Sequence, residues 1–81
     1  MSRTWRWLLP KLPKLSGAQA CAILARHGFA AVRQRGSHVV MQKSLGEGGT
    51  VTVPVPQHNE LANGTLMSII RQSGLSKHLF H

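Results

Sequence analysis

Two short glycine-containing segments divide the middle of the chain and restrict the folds open to it. The first is Arg35-Gly36-Ser37, and the second runs from Leu45 to Gly49. The runs beside them are short and rich in β-compatible residues, namely Ala31, Val32, Val39, Val40, Met41, Val51 and Val53. Because glycine supplies the positive φ that tight turns need, the pattern predicts three strands in a meander. We expect Pro54 and Pro56, which lack amide donors, to end the third strand.

A helical pattern stands on either side of this predicted sheet. Ser16 and Gln19 have the spacing of a capping box, which predicts a first helix from about Gly17 to His27. A second helix is expected to begin at residues 63–65 and to end at Gly74, with an apolar face formed by Leu66, Ile69 and Ile70. The predicted fold class is therefore α+β, in the order α-β-β-β-α, with a three-stranded antiparallel sheet and both helices on one face.

The charge of the chain indicates a polyanionic partner. Ten Lys and Arg residues stand against two acids, Glu47 and Glu60, which gives a formal net charge of +8. Such a field attracts polyanions over roughly a Debye length, about 8 Å at physiological salt. Nucleic acid is the first partner to expect, although a basic subunit neutralised by an acidic protein would have the same composition. The single cysteine, Cys21, excludes an internal disulfide and favours a cytoplasmic location.

The first residues differ in composition from the rest of the chain. Residues 1–11 contain Trp5 and Trp7, and the prolines nearby break any helix. We expect a flexible arm at 1–11 followed by a single domain at 12–81. No apolar stretch approaches the roughly 20 residues of a membrane span, so we expect neither a signal peptide nor a membrane anchor. The two tryptophans could instead stack on RNA bases or on a partner.

His38 is the residue best placed for chemistry. It follows the Gly36-Ser37 turn at the mouth of the second predicted strand, where its ring can project beyond the sheet. Histidine titrates near neutral pH, so an imidazole can deprotonate a ribose 2′-hydroxyl or protonate a leaving 5′-oxygen. Phosphate could be held by the nearby cations Arg33, Arg35 and Lys43. A solvated charged surface explains these cations equally well, and the spacing alone leaves a structural role for His38 open.

Alternation along the second predicted strand separates its side chains into two sets. One face carries His38, Val40 and Gln42, and the other carries Val39, Met41 and Lys43. Periodicity does not say which of the two faces is buried.

The other candidate nucleophiles and ligands form no recognisable site. His58 could approach the same edge as His38, whereas His27 is better explained as a helix-capping cation. We expect Cys21, on the apolar stripe of the first helix, to be a protonated core thiol. Ser37 has no Asp-His pair behind it, because the chain lacks Asp, so its expected role is turn geometry. Two acids cannot build a two-metal centre, which predicts chemistry without a metal or cofactor, or no chemistry.

Together, the motifs resemble those of the HicA-like toxins. The segments that match in order and spacing are residues 15–29, Val32-Arg33-Gln34-Arg35-Gly36-Ser37-His38, Val51-Thr52-Val53-Pro54, Gly64-Thr65-Leu66 and residues 69–75. The most specific is the Arg-x-x-Gly-Ser-His motif at residues 33–38, which follows Gly28-Phe29 at the end of the first predicted helix. The other is the Gly-Thr-Leu motif at the start of the last predicted helix. The resemblance covers about Leu12 to Phe80 and implies a fold similar to the double-stranded RNA-binding domain.

The resemblance also implies a function. It implies that the chain is the toxin of a toxin–antitoxin pair. Such a toxin is an endoribonuclease that cleaves mRNA without needing the ribosome, and a cognate HicB-like antitoxin neutralises it. On this resemblance, His38 takes the catalytic position and Gly36 and Ser37 form the turn that presents it. The expected RNA contacts are Arg33, Arg35, Lys43 and His58. The alternatives are a non-catalytic RNA-binding module of the same fold and a protein whose positive surface docks an acidic partner.

Overall fold

Residues 12–81 form two α-helices and three strands in the predicted order. A computed structural model describes residues 12–81, so the predicted arm at 1–11, with Trp5 and Trp7, lies outside the described residues. The elements are α1 (Gly17–Arg26), β1 (Ala30–Arg35), β2 (His38–Ser44), β3 (Thr50–Pro56) and α2 (Asn63–Ser73). The predicted α+β class and the α-β-β-β-α order are confirmed. No helix among residues 12–81 is long and apolar enough to cross a membrane.

The predicted capping box begins α1. The Ser16 hydroxyl accepts the Gln19 amide proton at 3.0 Å, and the Gln19 side-chain carbonyl accepts the Ser16 amide proton at 2.9 Å. These two bonds satisfy donors that the first turn of a helix leaves without partners. The helix then ends at Arg26, with His27 as its C-terminal cap residue.

The strands form an antiparallel meander in the order β1-β2-β3. Pro54 and Pro56 were expected to end β3, but they lie within it, opposite Val40 and His38. Since β3 is an edge strand and the prolines are two residues apart, both ring nitrogens face the outer edge, where no ladder hydrogen bond is lost. The same prolines prevent another strand from pairing at this edge.

A β-bulge at Val32 reverses the alternation of β1. Ala31 lies opposite Met41 and Arg33 lies opposite Val40, so Val32 is an extra residue. Strict alternation would place Arg33 on the same face as Ala31. The bulge turns Arg33 and Arg35 to the other face, which is the face of His38.

The two faces of the sheet have different surroundings. Both helices pack on the helix-covered face, which we define by Met41, Val53 and Val55, and this confirms the predicted arrangement. The core there is a single cluster that also contains Leu15, Ala20, Ile23, Leu24, Phe29, Leu61, Leu66, Ile69, Ile70 and Phe80. The opposite side is the open face, which we define by Arg33, Arg35, His38, Val40, Gln42, Thr52 and Pro54.

Candidate functional site

Gly36 and Ser37 form the two-residue turn that joins β1 to β2. Arg35 pairs directly with His38, and φ is +58° at Gly36 but negative at Ser37. A glycine with positive φ at the first of two turn positions is typical of the type II′ hairpin. A side chain at Gly36 would meet no atom within 4 Å, so glycine is required there by the backbone conformation. The turn fixes His38 as the first residue of β2.

Gln57 braces this turn against the rest of the fold. Its amide donates to the Ser37 carbonyl at 2.7 Å, while its side-chain NH₂ donates to the Val55 carbonyl at 3.1 Å and to the Cys21 sulfur at 3.6 Å. The end of β3 therefore connects the turn to α1. Gly17 allows α1 to approach this closely, because a Cβ atom there would collide with the Pro56 carbonyl oxygen.

The Cys21 thiol belongs to this supporting region and not to the site itself. Burial raises the pKa of the thiol, against a smaller opposing effect of the Gln57 hydrogen bond. A raised pKa keeps the sulfur protonated at neutral pH, so it is a poor nucleophile. This agrees with the expectation of a core thiol, although Cys21 is only partly buried.

The open face is a shallow depression of about 510 Å³ with His38 at one end. Its lining combines cationic, apolar and amide groups. The apolar centre is Val40, which is only 9% exposed although neither α1 nor α2 covers this side of the sheet. At the other end, the Gln42 side-chain NH₂ donates to the Thr52 hydroxyl at 3.2 Å. Neither of the two acids in the chain, Glu47 and Glu60, lines the depression, so its charge is positive.

His38 also borders a second concavity, between β3 and α2. This groove of about 300 Å³ shares His38 and Pro54 with the open face, and its other lining residues are Pro56, Gly64, Thr65, Ser68, Ile69 and Gln72. The imidazole therefore lies where two grooves meet, and a chain-like ligand that passed from one groove to the other would cross it. The Gly-Thr-Leu motif at the start of α2 contributes Gly64 and Thr65 to this second groove.

The structure brings together some of the residues predicted for the site. Arg33, Arg35 and His38 share the open face. Lys43 lies on the opposite side of β2, half-buried, with its ammonium nitrogen 5.9 Å from the centre of the Phe29 ring. His58 is exposed in the loop after β3, and its carbonyl accepts the Gly17 amide proton at 2.9 Å, but its side chain lines neither groove.

Sequence reasoning missed other members of the site. Alternation grouped Val40 and Gln42 with His38, but it gave no sign that Thr52 and Pro54 lie beside them. The cross-strand register brings them there, since Gln42 pairs with Thr52 and Val40 with Pro54. The signal that could have found Thr52 is the period-two alternation Thr-Val-Thr-Val in β3, read with the hairpin turn. Nothing in the sequence signals the bracing role of Gln57.

The titratable side chains of the described region do not gather into a metal site. Among residues 12–81, no group of three or more His, Cys, Asp or Glu side chains is arranged to hold a metal ion. The chemistry that this arrangement offers comes from an exposed imidazole beside two guanidinium groups.

Comparison with known sequences identifies the family. No curated protein sequence is significantly similar to the chain. A family profile described as the HicA toxin of bacterial toxin–antitoxin systems matches residues 17–75, which is more than half of the chain and includes the open face and α2. The family implies an antitoxin as partner. The chain therefore belongs to the HicA toxins of bacterial toxin–antitoxin systems.

Proposed function

We propose that the chain is an mRNA-cleaving endoribonuclease in which His38 is the general acid or base. The observation that carries this proposal is the arrangement of the open face. The bulge at Val32 turns Arg33 and Arg35 to the side of His38, and Arg35 pairs directly with His38. An exposed imidazole flanked by two arginines on a surface without carboxylates suits a phosphodiester substrate.

The reaction follows from the chemistry of RNA and needs no metal or cofactor. His38 accepts the proton of a ribose 2′-hydroxyl, and the 2′-oxygen forms a bond to the adjacent phosphorus. The bond from phosphorus to the 5′-oxygen breaks, and that oxygen takes a proton from an imidazolium or from water. The products are a 2′,3′-cyclic phosphate and a 5′-hydroxyl end. General acid–base catalysis of this kind accelerates a reaction by about 10²–10⁴-fold.

Arg33 and Arg35 supply the electrostatic part of the mechanism. A guanidinium group binds two phosphate oxygens at once and stays charged at every physiological pH. Arg35 is level with His38 across the β1–β2 pair and is placed to stabilise the extra negative charge of the transition state. Arg33 lies one step further along the sheet, opposite Val40, and is placed to hold a neighbouring phosphate.

The antitoxin acts on the same surface in this proposal. A HicB-like partner of complementary charge would cover His38 or occupy the positive open face, and either would exclude RNA. Co-purification of the pair, followed by an RNA cleavage assay on the complex, tests this directly. We expect the complex to show no cleavage until the antitoxin is removed, and a complex that cleaves RNA as fast as the free toxin would contradict the proposal.

Cleavage of a long mRNA by purified protein tests the proposed activity. The wild type and His78→Ala, which removes an exposed imidazole from the C-terminal segment, should both cleave. His38→Ala should cleave at least about 100-fold more slowly because it lacks the acid–base group. End analysis should find 2′,3′-cyclic phosphates, and an RNA with 2′-O-methyl groups throughout should resist cleavage.

Two results would refute this function. Equal cleavage by the wild type and His38→Ala would remove the role of the imidazole. RNA binding by the wild type without any products would instead support the non-catalytic RNA-binding module.

A further inference from the structure

We propose that Gln42 and Thr52 form a base-reading subsite for one nucleotide of a single-stranded RNA that lies along β2 on the open face. This inference rests on the proposed function and adds a substrate form and a specificity-determining residue to it. It comes from the order in which chemical groups follow one another along the face. The Gln42–Thr52 pair lies two rows from His38, on the side of the sheet opposite the core cluster.

The open face consists of successive rows of side chains across the strands. The first row pairs Arg35 with His38, and the second places Val40 between Arg33 and Pro54. The third row is Gln42 with Thr52. Because residues on one face of a strand repeat every second position, neighbouring rows are about 6–7 Å apart and Gln42 lies about 13 Å from His38.

This order matches the parts of an extended RNA strand. The first row offers the charges that bind phosphate. In the second row, the Arg33 guanidinium offers a plane on which a base can stack, and Val40 with Pro54 offers an apolar surface for its ring. The third row offers hydrogen-bonding groups. A strand whose phosphate lies at His38 therefore has a base within reach of Gln42.

The hydrogen bond between Gln42 and Thr52 prepares the amide for this role. A glutamine side chain has two N–H donors and one carbonyl acceptor, and one donor is used by the Thr52 hydroxyl. Within residues 12–81, the remaining donor and the carbonyl make no other hydrogen bond and can contact a base edge, while the Thr52 bond restricts their orientation. Glutamine pairs most often with adenine through such a donor and acceptor pair. We therefore expect adenine to be the preferred base.

Double-stranded RNA does not fit this surface. In an A-form duplex, base pairing occupies the Watson–Crick edges, and the major groove is too deep and narrow for side chains to enter. The shallow minor groove distinguishes the bases poorly. Gln42 is half-buried in a depression and does not project from a loop or helix that could enter a groove. Moreover, α2 contains a single basic residue, Arg71 in its last turn, and so offers little charge to the phosphates of a duplex. The substrate that reaches Gln42 is an unpaired strand.

Affinities measured without cleavage test this inference. The protein carries His38→Ala so that RNA stays intact, and fluorescence anisotropy follows binding of 10-nucleotide homopolymers of A, U and C. The A homopolymer should bind at least about fivefold more tightly than the U and C homopolymers. Adding Gln42→Leu or Thr52→Val should bring this ratio close to one. Thr50→Val is the matched control, because Thr50 lies two residues earlier on β3, opposite Ser44 and outside the depression.

The outcomes separate this inference from the proposed function. A ratio that Gln42→Leu leaves unchanged, or a preference that Thr50→Val removes equally well, would overturn the subsite. A mixed-sequence duplex of 20 base pairs that binds as tightly as its separate strands would overturn the single-stranded path. Cleavage by His38→Ala at the wild-type rate would refute the proposed function. The subsite would then be decided with 2′-O-methyl homopolymers, which lack the 2′-hydroxyl that the cleavage needs.

Discussion

Met41 and Gln42 are neighbours on β2, but they belong to surfaces of opposite character. The Met41 side chain is 2% exposed and packs beneath both helices, as do Val53 and Val55 on β3. The Gln42 side chain points to the open face, where its partner is the Thr52 hydroxyl. The helix-covered face is apolar at Met41, Val53 and Val55, whereas the open face changes from cationic to apolar to polar along its length.

The contrast shows how one small sheet separates stability from chemistry. Apolar burial beneath the helices holds the strands together, so residues on the other side are free to serve a ligand. The bulge at Val32 then gives the open face two cations that strict alternation would have placed elsewhere. Within residues 12–81, this division leaves one side of the sheet uncovered by α1 and α2.

Substitution of Met41 and of Gln42 should affect the stability of the protein to very different extents. Met41→Ala should lower the free energy of unfolding by about 2–5 kcal/mol, because it leaves a cavity in the core. Gln42→Ala should change it by less than about 0.5 kcal/mol, because its side chain contributes to no core contact. Urea denaturation measures both. Similar decreases for the two variants would mean that the open face also carries stability.

Gly17 lies where α1 meets the end of β3, at the border of the two faces. Gly17→Ala should destabilise the protein by about 1–3 kcal/mol, because the added methyl group collides with the backbone at Pro56 and Gln57. Ala18→Gly on the exposed side of the same helix is the control, and it should destabilise the protein by only about 0.5–1 kcal/mol. Thermal unfolding compares the two. An unchanged melting temperature in Gly17→Ala would show that α1 can move away from β3.

The regular part of this fold could be predicted because its signals are local. The capping box at Ser16 and Gln19, the two glycine turns and the apolar face of α2 each act within a few residues. Burial of Phe80 could not be predicted in this way, because the C-terminal segment returns to the core through contacts distant in sequence.

The site was less predictable, since it depends on register. The extra residue at Val32 decides which face Arg33 occupies, and no residue type marks a bulge by itself. The prolines of β3 are tolerated because β3 is an edge strand, which is a property of the whole sheet and not of the local sequence. Lys43 and His58 were expected beside His38, but Lys43 lies on the opposite side of β2 and the His58 side chain lines neither groove.

Removal of the two arginines from the open face tests whether this face, and not the helix side, binds RNA. We expect Arg33→Ala with Arg35→Ala to weaken RNA binding and to reduce the slope of log affinity against log salt by about 0.7 for each phosphate that an arginine no longer neutralises. Arg71→Ala, on the last turn of α2, should leave the slope nearly unchanged. Anisotropy titrations at several salt concentrations supply the slopes. Equal slopes for the double variant and Arg71→Ala would place the RNA on another surface.

Substitution of Cys21 should have the smallest effect on RNA cleavage. Because burial raises the pKa of its thiol, the reactive thiolate is scarce at neutral pH and increases only at alkaline pH. Alkylation by iodoacetamide should therefore be slower than that of free cysteine at pH 7 and should accelerate as the pH rises. Cys21→Ala should cleave RNA at the wild-type rate. Loss of cleavage in a folded Cys21→Ala protein would assign the thiol a part in the reaction.

The central claim is that the open face binds RNA and that His38 acts on it there. Its most direct test measures Kd and the cleavage rate on one RNA for the wild type, His38→Ala and His58→Ala. We predict that His38→Ala binds within about threefold of the wild type but cleaves at least about 100-fold more slowly, while His58→Ala matches the wild type in both. Undiminished cleavage by folded His38→Ala, or its abolition in His58→Ala alone, would contradict the account.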